Sequence, residues 1–334
     1  MKQFIEKYLK INNYEINYFT NWRNNITCLV SPHPSPLLKE REFNNNWIII
    51  QKENIDFPEN QKYLINKLIL ESEKTDLNLA WNYLENRFIE FEWGFYQVMK
   101  NIESTKISDE DFIKKASEKN IISTFEYLAK FHNFSEILEI LENKKNIWKT
   151  FKSVEKLFLQ AKELNENSLS TEGFSPLLFA KITKLKNYLN IIEIWNKNFQ
   201  SWIIHWDPAF KNMLFDKNIN AISLIDYEKV EYNNFMWDIA DLARSLLKLE
   251  EFNNNLLNSC ILKYCEIKNI PDIEKKEIIN YLITLIFHVT LQYFLALFPE
   301  SWVENKIWDN SDTIKKIERC FSELEKVKNW KIKI

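Results

Sequence analysis

The stretch at residues 203–230, IIHWDPAFKNMLFDKNINAISLIDYEKV, decides how the chain is read. It places polar residues inside what are otherwise two short apolar runs. Asp207 follows the strand-like WIIH and precedes Pro208, which biases its backbone away from helix toward an extended or turn conformation. Asn212 comes five residues later, just before MLF. The run AISLI then pairs with NMLF as a hairpin, through the turn residues DKNIN. Asp226 ends the second strand, so the hairpin predicts that it returns near Asn212 and Asp207. Taken singly, each residue has a plainer use: an Asp before Pro starts turns, an Asn satisfies loop backbone, and an Asp caps a turn. Jointly, three oxygen-bearing side chains at one end of a strand pair suit a hard divalent cation. Mg²⁺ takes such ligands and leaves the rest of its shell to waters and substrate phosphates.

Outward from this stretch, the chain has only two glycines, Gly94 and Gly173, in 334 residues. No glycine-rich phosphate loop of the GxGxxG or Walker type is possible. Any grip on phosphate must come from side chains, metal ions or ordinary turns. The first hundred residues mix short strands with one helix. ITCLVS (26–31) and WIIIQKE (47–53) are β-branched strand runs, separated by a loop rich in Pro and Asn. Residues 58–74 open with Pro and carry apolar residues at helical spacing. Residues 86–102 read as two strands or a bent hairpin. From about residue 104 the period becomes helical: a helix is predicted over 109–134, opening with acids, and helices fill most of 136–200 and 233–332. The expected fold class is therefore α+β, with a small N-terminal α+β part (1–100), a connector near 98–104, and a larger, mainly helical part (101–334).

Composition narrows the function. The formal net charge of −3 gives the whole chain no electrostatic footprint for nucleic acid. Cys28, Cys260, Cys265 and Cys320 form no CxxC pair, so neither a zinc site nor a disulfide framework is expected. Reduced thiols fit a cytoplasmic protein. The N-terminal stretch 1–19 is charged throughout and lacks the apolar core of a signal peptide. Residues 281–298 are long enough to span a bilayer, but His288 and Gln292 lie near their middle. A helix buried in the helical part, with no membrane partner, is the expectation. His33 and His288 belong to no constellation. His132 reads as a helix-end or packing residue.

The pattern H-x-D-x-x-x-x-N at 205–212, followed 226 − 207 = 19 residues after Asp207 by the Asp of LIDYE, resembles the active-site signature of the aminoglycoside phosphotransferase and choline kinase superfamily. MWDIADLARSLL (236–247) is similar to the Asp-containing helix that follows the metal-binding Asp there, and FEYLAKFH (125–132) resembles the superfamily's La-x-lH helix. Two segments, WIIIQKENIDFPENQKYLINKLI and HWDPAFKNMLFD with its downstream LIDYEKV and WDIADLARS, further resemble N-acetylhexosamine 1-kinases. Against that subgroup, Glu228 stands for a second Asp, Ala240 for a Gly, and Lys211 is displaced by one position.

The resemblance implies a protein-kinase-like two-lobed fold with a small α+β N-lobe and a larger helical C-lobe. It implies an ATP- and Mg²⁺-dependent kinase acting on a hydroxyl of a small molecule, in which the protein mainly positions groups and neutralises charge. On that reading Asp207 orients the attacking hydroxyl or accepts its proton, and Asn212 and Asp226 hold Mg²⁺. Glu228 and Lys211 face the substrate, Glu228 being able instead to bind a second ion. Lys52 or its rival Gln51 grips the nucleotide from the third strand, with Glu71 or Glu73 able to pair with Lys52, and Met99 lies in the strand before the connector. His205, Asp238 and Arg244 are structural at the site. Asp238 and Arg244 are expected to pair with each other or with the catalytic loop. The implied acceptor is an N-acetylhexosamine-like sugar, phosphorylated at its anomeric hydroxyl. Choline- or aminoglycoside-type acceptors, or nucleotide binding with little turnover, are the alternatives.

Overall fold

The computed structural model describes residues 2–9, 14–18, 26–32, 48–53, 64, 65, 68, 72, 89–91, 94–100, 105–139, 149–167, 179–183, 202–248, 253–298 and 310–328. The chain forms two compact units, Met1–Lys106 with Asn212–Val230, and Ile107–Lys211 with Glu231–Ile334.

In the first unit, β1 (Tyr14–Tyr18), β2 (Ile26–Pro32), β3 (Ile48–Glu53), β4 (Ile89–Phe91) and β5 (Gly94–Lys100) make an antiparallel sheet in the order β1-β2-β3-β5-β4. Cys28 and Val30 alternate along β2 and are fully buried, as is Ile50, which pairs with Cys28. This period of two is how a sheet with one covered face is built. The sequence reading has no strand at Tyr14–Tyr18. That edge strand carries no buried residue, so only its pairing with β2 identifies it. Of the helix predicted over 58–74, Leu64, Ile65, Leu68 and Ser72 are helical and buried. Their spacing is one helix face. Glu71 and Glu73 lie outside the described residues. A second, three-stranded sheet joins β6 (Thr105–Lys106) to β8 (Met213–Phe215) and β9 (Ala221–Leu224). This pairing ties the hairpin to the first unit, where the sequence reading had it embedded in the helical part.

Among its described residues, the regular structure of the second unit is helical apart from a two-stranded ribbon of β7 (Trp202–Ile204) and β10 (Glu231–Asn233). The helix expected over 109–134 is two helices, α1 (Asp109–Lys115) and α2 (Glu118–Glu139). Ser108 caps α1 by accepting from the Asp111 N–H at 3.1 Å. The chain goes extended at Ala116 (φ −78°, ψ 136°). Ser117 and Asn120 then exchange bonds: the Asn120 N–H donates to Ser117 Oγ at 3.3 Å, and the Ser117 N–H donates to Asn120 Oδ1 at 3.1 Å. This reciprocal cap restarts the helix although the apolar period runs through it.

Further on lie α3 (Lys149–Asn167), α4 (Met236–Leu247), α5 (Asn254–Lys268), α6 (Asp272–Leu295) and α7 (Asn310–Lys328). The segment Glu277–Leu295 of α6 is long and apolar enough to cross a membrane. It packs on α3, α4 and α7, burying Tyr281, Leu282, Ile286, Phe287 and Phe294. Each such side chain contributes about 1.5–3 kcal/mol. Gln292 is exposed, so the helix is not enclosed on every side. The four cysteines are buried free thiols.

Candidate active site

In the second unit, β7 delivers the chain to a loop fixed from behind by one carboxylate. Asp238, in the first turn of α4, accepts from the His205 N–H on Oδ2 and from the Trp206 N–H on Oδ1, both at 2.7 Å. Its Oδ2 also takes His132 Nε2 at 3.0 Å. Asp238 and His132 are fully buried. A carboxylate has no proton to give, so Nε2 carries the hydrogen. Nδ1 is then an acceptor, and Tyr264 Oη donates to it at 2.6 Å. Burial pushes the His132 pKa down, against the pull of Asp238, so the ring stays neutral and bridges α2, α4 and α5. His132 sits well inside α2, not at its end. His205, expected to be structural at the site, donates its backbone N–H to Asp238, and its ring packs edge-on to Phe131 at 6.5 Å.

Of the two arrangements expected for Asp238 and Arg244, the contact of Asp238 with the loop forms and their mutual pair does not. Six residues along a helix turn through about 600°, which puts the two on different faces. Arg244 instead donates to Glu323 Oε2 at 2.8 Å and approaches Cys320 Sγ at 3.6 Å, binding α4 to α7.

Asp207 leaves this loop half-buried, and Lys211 Nζ reaches its Oδ2 at 3.2 Å. The Lys211 N–H donates to Asp109 Oδ1 at 2.7 Å, and Phe112 packs on Phe210 with ring centroids 4.5 Å apart and planes tilted by 31°, so the start of α1 holds the end of the loop. Burial lowers the affinity of Lys211 for its proton, but Asp207, Asp241 and Asp109 together hold its pKa above the ordinary lysine value. Asp241 went unassigned in the sequence reading. It follows Asp238 by three residues, one turn along the same face of α4, which was the available signal. Its pKa rises from 3.8 to about 7, through burial first and then the Asp207 carboxylate.

That shift has a thermodynamic sign. Between about pH 4 and pH 7 the folded state holds a proton on Asp241 that the unfolded chain has released, so stability falls as pH rises through this window. Asp241→Asn should flatten that slope, leaving the variant more stable than wild type at pH 8 and little changed near pH 4. Thermal melts at stepped pH check this; superimposable profiles would remove Asp241 as a titrating group.

In the first unit the predicted hairpin forms. Asp216 Oδ1 accepts from the N–H groups of Asn218 and Asn220, both at 2.8 Å, closing the DKNIN turn. The Ile225 N–H donates to the Asn212 carbonyl at 2.9 Å beyond the end of β9. This brings the backbones of Asn212 and Asp226 to the same end of the hairpin. Asp226 adopts φ 69°, ψ 55°, a left-handed conformation that Asp tolerates better than most residues, and opens the turn Tyr227–Lys229 that contains Glu228. Asn212 is 4% exposed. One amide and one carboxylate oxygen fit Mg²⁺, which binds through one or two carboxylates plus phosphates and waters. Among the described residues no group of three His, Cys, Asp or Glu side chains could hold a metal by itself.

Gln51 and Lys52 lie in β3, paired with Gln97 and Tyr96 of β5, and Met99 pairs with Ile49. Only their backbones are among the described residues.

No known protein-family profile matches the chain, and no curated protein sequence matches it. Solved structures do. Aminoglycoside 2'-phosphotransferase-IIIa in its GDP complex superposes with a TM-score of 0.66 at 11% identity, over 97% of each chain. An aminoglycoside phosphotransferase from Alicyclobacillus acidocaldarius gives 0.63 at 12% identity, over 94% of this chain and 89% of its own. The Plasmodium vivax ethanolamine kinase gives 0.57 at 14% identity, over 98% and 86%. At this level of identity the likeness is one of fold. The chain has the protein-kinase-like fold of these phosphotransferases, with a small sheet and a mainly helical C-terminal part.

Proposed function

We propose that this chain, built on the fold of the aminoglycoside phosphotransferases, is an ATP- and Mg²⁺-dependent kinase that moves the γ-phosphate to a hydroxyl of a small molecule. One observation carries the reading. On that fold, Asp207 follows a backbone pinned by Asp238, while Asn212 and Asp226 end the two strands of one hairpin, at the spacing phosphoryl transfer uses. Asp207 orients the acceptor hydroxyl and takes up its proton. Lys211 holds the Asp207 carboxylate in place. Asn212 and Asp226 would hold Mg²⁺, which when bound neutralises charge on the transferring phosphates. Gln51, Lys52 and Met99 would contact the nucleotide, and Glu228 the acceptor.

Asp226→Ala should abolish Mg²⁺-dependent nucleotide binding while leaving the hairpin formed. Calorimetry with ATP, with and without Mg²⁺, checks it; wild-type affinity in the variant would remove Asp226 from the metal site.

The resemblance to N-acetylhexosamine 1-kinases supports a sugar acceptor, phosphorylated at its anomeric hydroxyl. A specific observation favours a second reading, an amine-bearing acceptor. The Asp207 charge acts on the Asp241 carboxyl and raises its pKa, so a second acid lies near Asp207, and structures of the same fold include aminoglycoside and ethanolamine kinases. ADP release with N-acetylhexosamines, choline, ethanolamine and aminoglycosides, with ATP and GTP as donors, separates the two. Turnover only with amines rules out the sugar. Thermal stabilisation by nucleotide without ADP release would instead indicate a binding protein, a reading that the scarcity of glycine supports.

A further inference from the structure

We propose that Trp206 seats the acceptor: its indole face takes a C–H face of the molecule being phosphorylated. The inference deepens the phosphotransferase reading and rests on it for the word acceptor. Trp206 has φ 74°, a region that Gly or Asn enters readily and a bulky side chain does not. The conformation is enforced, since the two oxygens of Asp238 grip the N–H groups of His205 and Trp206 at 2.7 Å each. Strain of this kind persists where surrounding structure over-determines it, and it gathers at binding sites.

Core filling does not account for the indole. Trp206 is only half-buried. The ring behind it, Trp237, is 2% exposed and fills the core, against Tyr281 at 6.0 Å and His288 at 6.4 Å. Trp206 lies over Trp237 with centroids 5.4 Å apart and planes tilted by 54°. A buried ring thus backs a partly open one. The next residue is Asp207, and the proposal places the acceptor between its carboxylate and the open part of the indole.

An indole face is electron-rich. It favours C–H groups polarised by an adjacent oxygen or ammonium. A pyranose ring and a methylated ammonium head share that chemistry, and the two are separable by experiment. The probes are N-acetylglucosamine, choline and kanamycin, tested for ADP release and for direct binding by calorimetry. Trp206→Gly suits the left-handed backbone and deletes the ring; Trp206→Phe keeps a ring. Trp206→Gly should raise the acceptor KM and Kd by roughly five- to thirtyfold with the nucleotide KM unchanged, and Trp206→Phe should recover most of the loss.

A purely structural Trp206 would raise the acceptor and nucleotide KM values alike, and that result overturns the proposal. So does equal acceptor affinity in wild type and Trp206→Gly, in which case ADP release still upholds the phosphotransferase reading. Acceptor binding by wild type without ADP release sinks that reading instead, and Kd still decides the role of Trp206. Wild type that binds none of the three probes overturns the seat proposed here. The probe bound tells a sugar acceptor from a cationic one.

Discussion

Asp207→Asn should lower turnover by about 10²–10⁴ while the protein stays folded. Asparagine matches aspartate in size and still hydrogen-bonds a hydroxyl, but it takes up no proton at neutral pH. It also leaves Lys211 Nζ, now 3.2 Å from a carboxylate, facing a neutral amide. The cost to stability is small, because the pair is substantially exposed, with side chains 23% and 52% accessible. Such pairs contribute about 0–1 kcal/mol. The decisive measurement is kcat for ADP release beside a thermal melt. Near-wild-type kcat would remove Asp207 from the chemistry, and a collapsed melt would show that the residue holds the fold instead.

Asp238→Ala acts in the opposite way, on stability first. It strands three donors, the N–H groups of His205 and Trp206 and the Nε2–H of His132, of which those of His205 and His132 are buried and that of Trp206 half-buried. Each unmet buried donor costs about 1–3 kcal/mol. Water entering the vacated space offsets part of this, so a loss of about 3–5 kcal/mol is expected. Asp238→Asn keeps the volume but offers one acceptor oxygen in place of two, so its loss should be smaller. Denaturant unfolding of both variants tests the ranking. An Asp238→Ala midpoint equal to wild type would mean that the loop is held by something other than this carboxylate. Turnover in Asp238→Asn should also fall, since Trp206 and Asp207 ride on the backbone it pins.

These two residues show how the site was legible. Asp207, Asn212 and Asp226 were found because the signal is local: a Pro, a five-residue turn and two apolar runs lie within 24 residues of one another. Asp238 and its contact with the loop were expected from a sequence pattern, but its contact with His132 was not. His132 is 106 positions away and Tyr264 a further 132 from His132. Arg244 finds Glu323 at a separation of 79. Asp241 went unassigned, because the Asp207 charge that acts on it comes from a separate segment 34 positions away. The break at Ala116 was hidden because the apolar period of α1 continues into α2, and only the Ser117–Asn120 exchange interrupts it.

The sequence by itself determined the strand runs at 26–31 and 47–53, strand structure within 86–102, the hairpin, the helical second half and the spacing of the oxygen ligands. Each of these rests on side-chain period and turn chemistry between near neighbours, where few backbone conformations compete. Only the tertiary structure decided which backbone N–H groups the Asp238 carboxylate takes, which histidine stays neutral, which acid is driven toward a neutral-range pKa, and that a tryptophan is forced to positive φ. Those outcomes depend on desolvation and on partners brought together from distant segments, and no local window of sequence contains either.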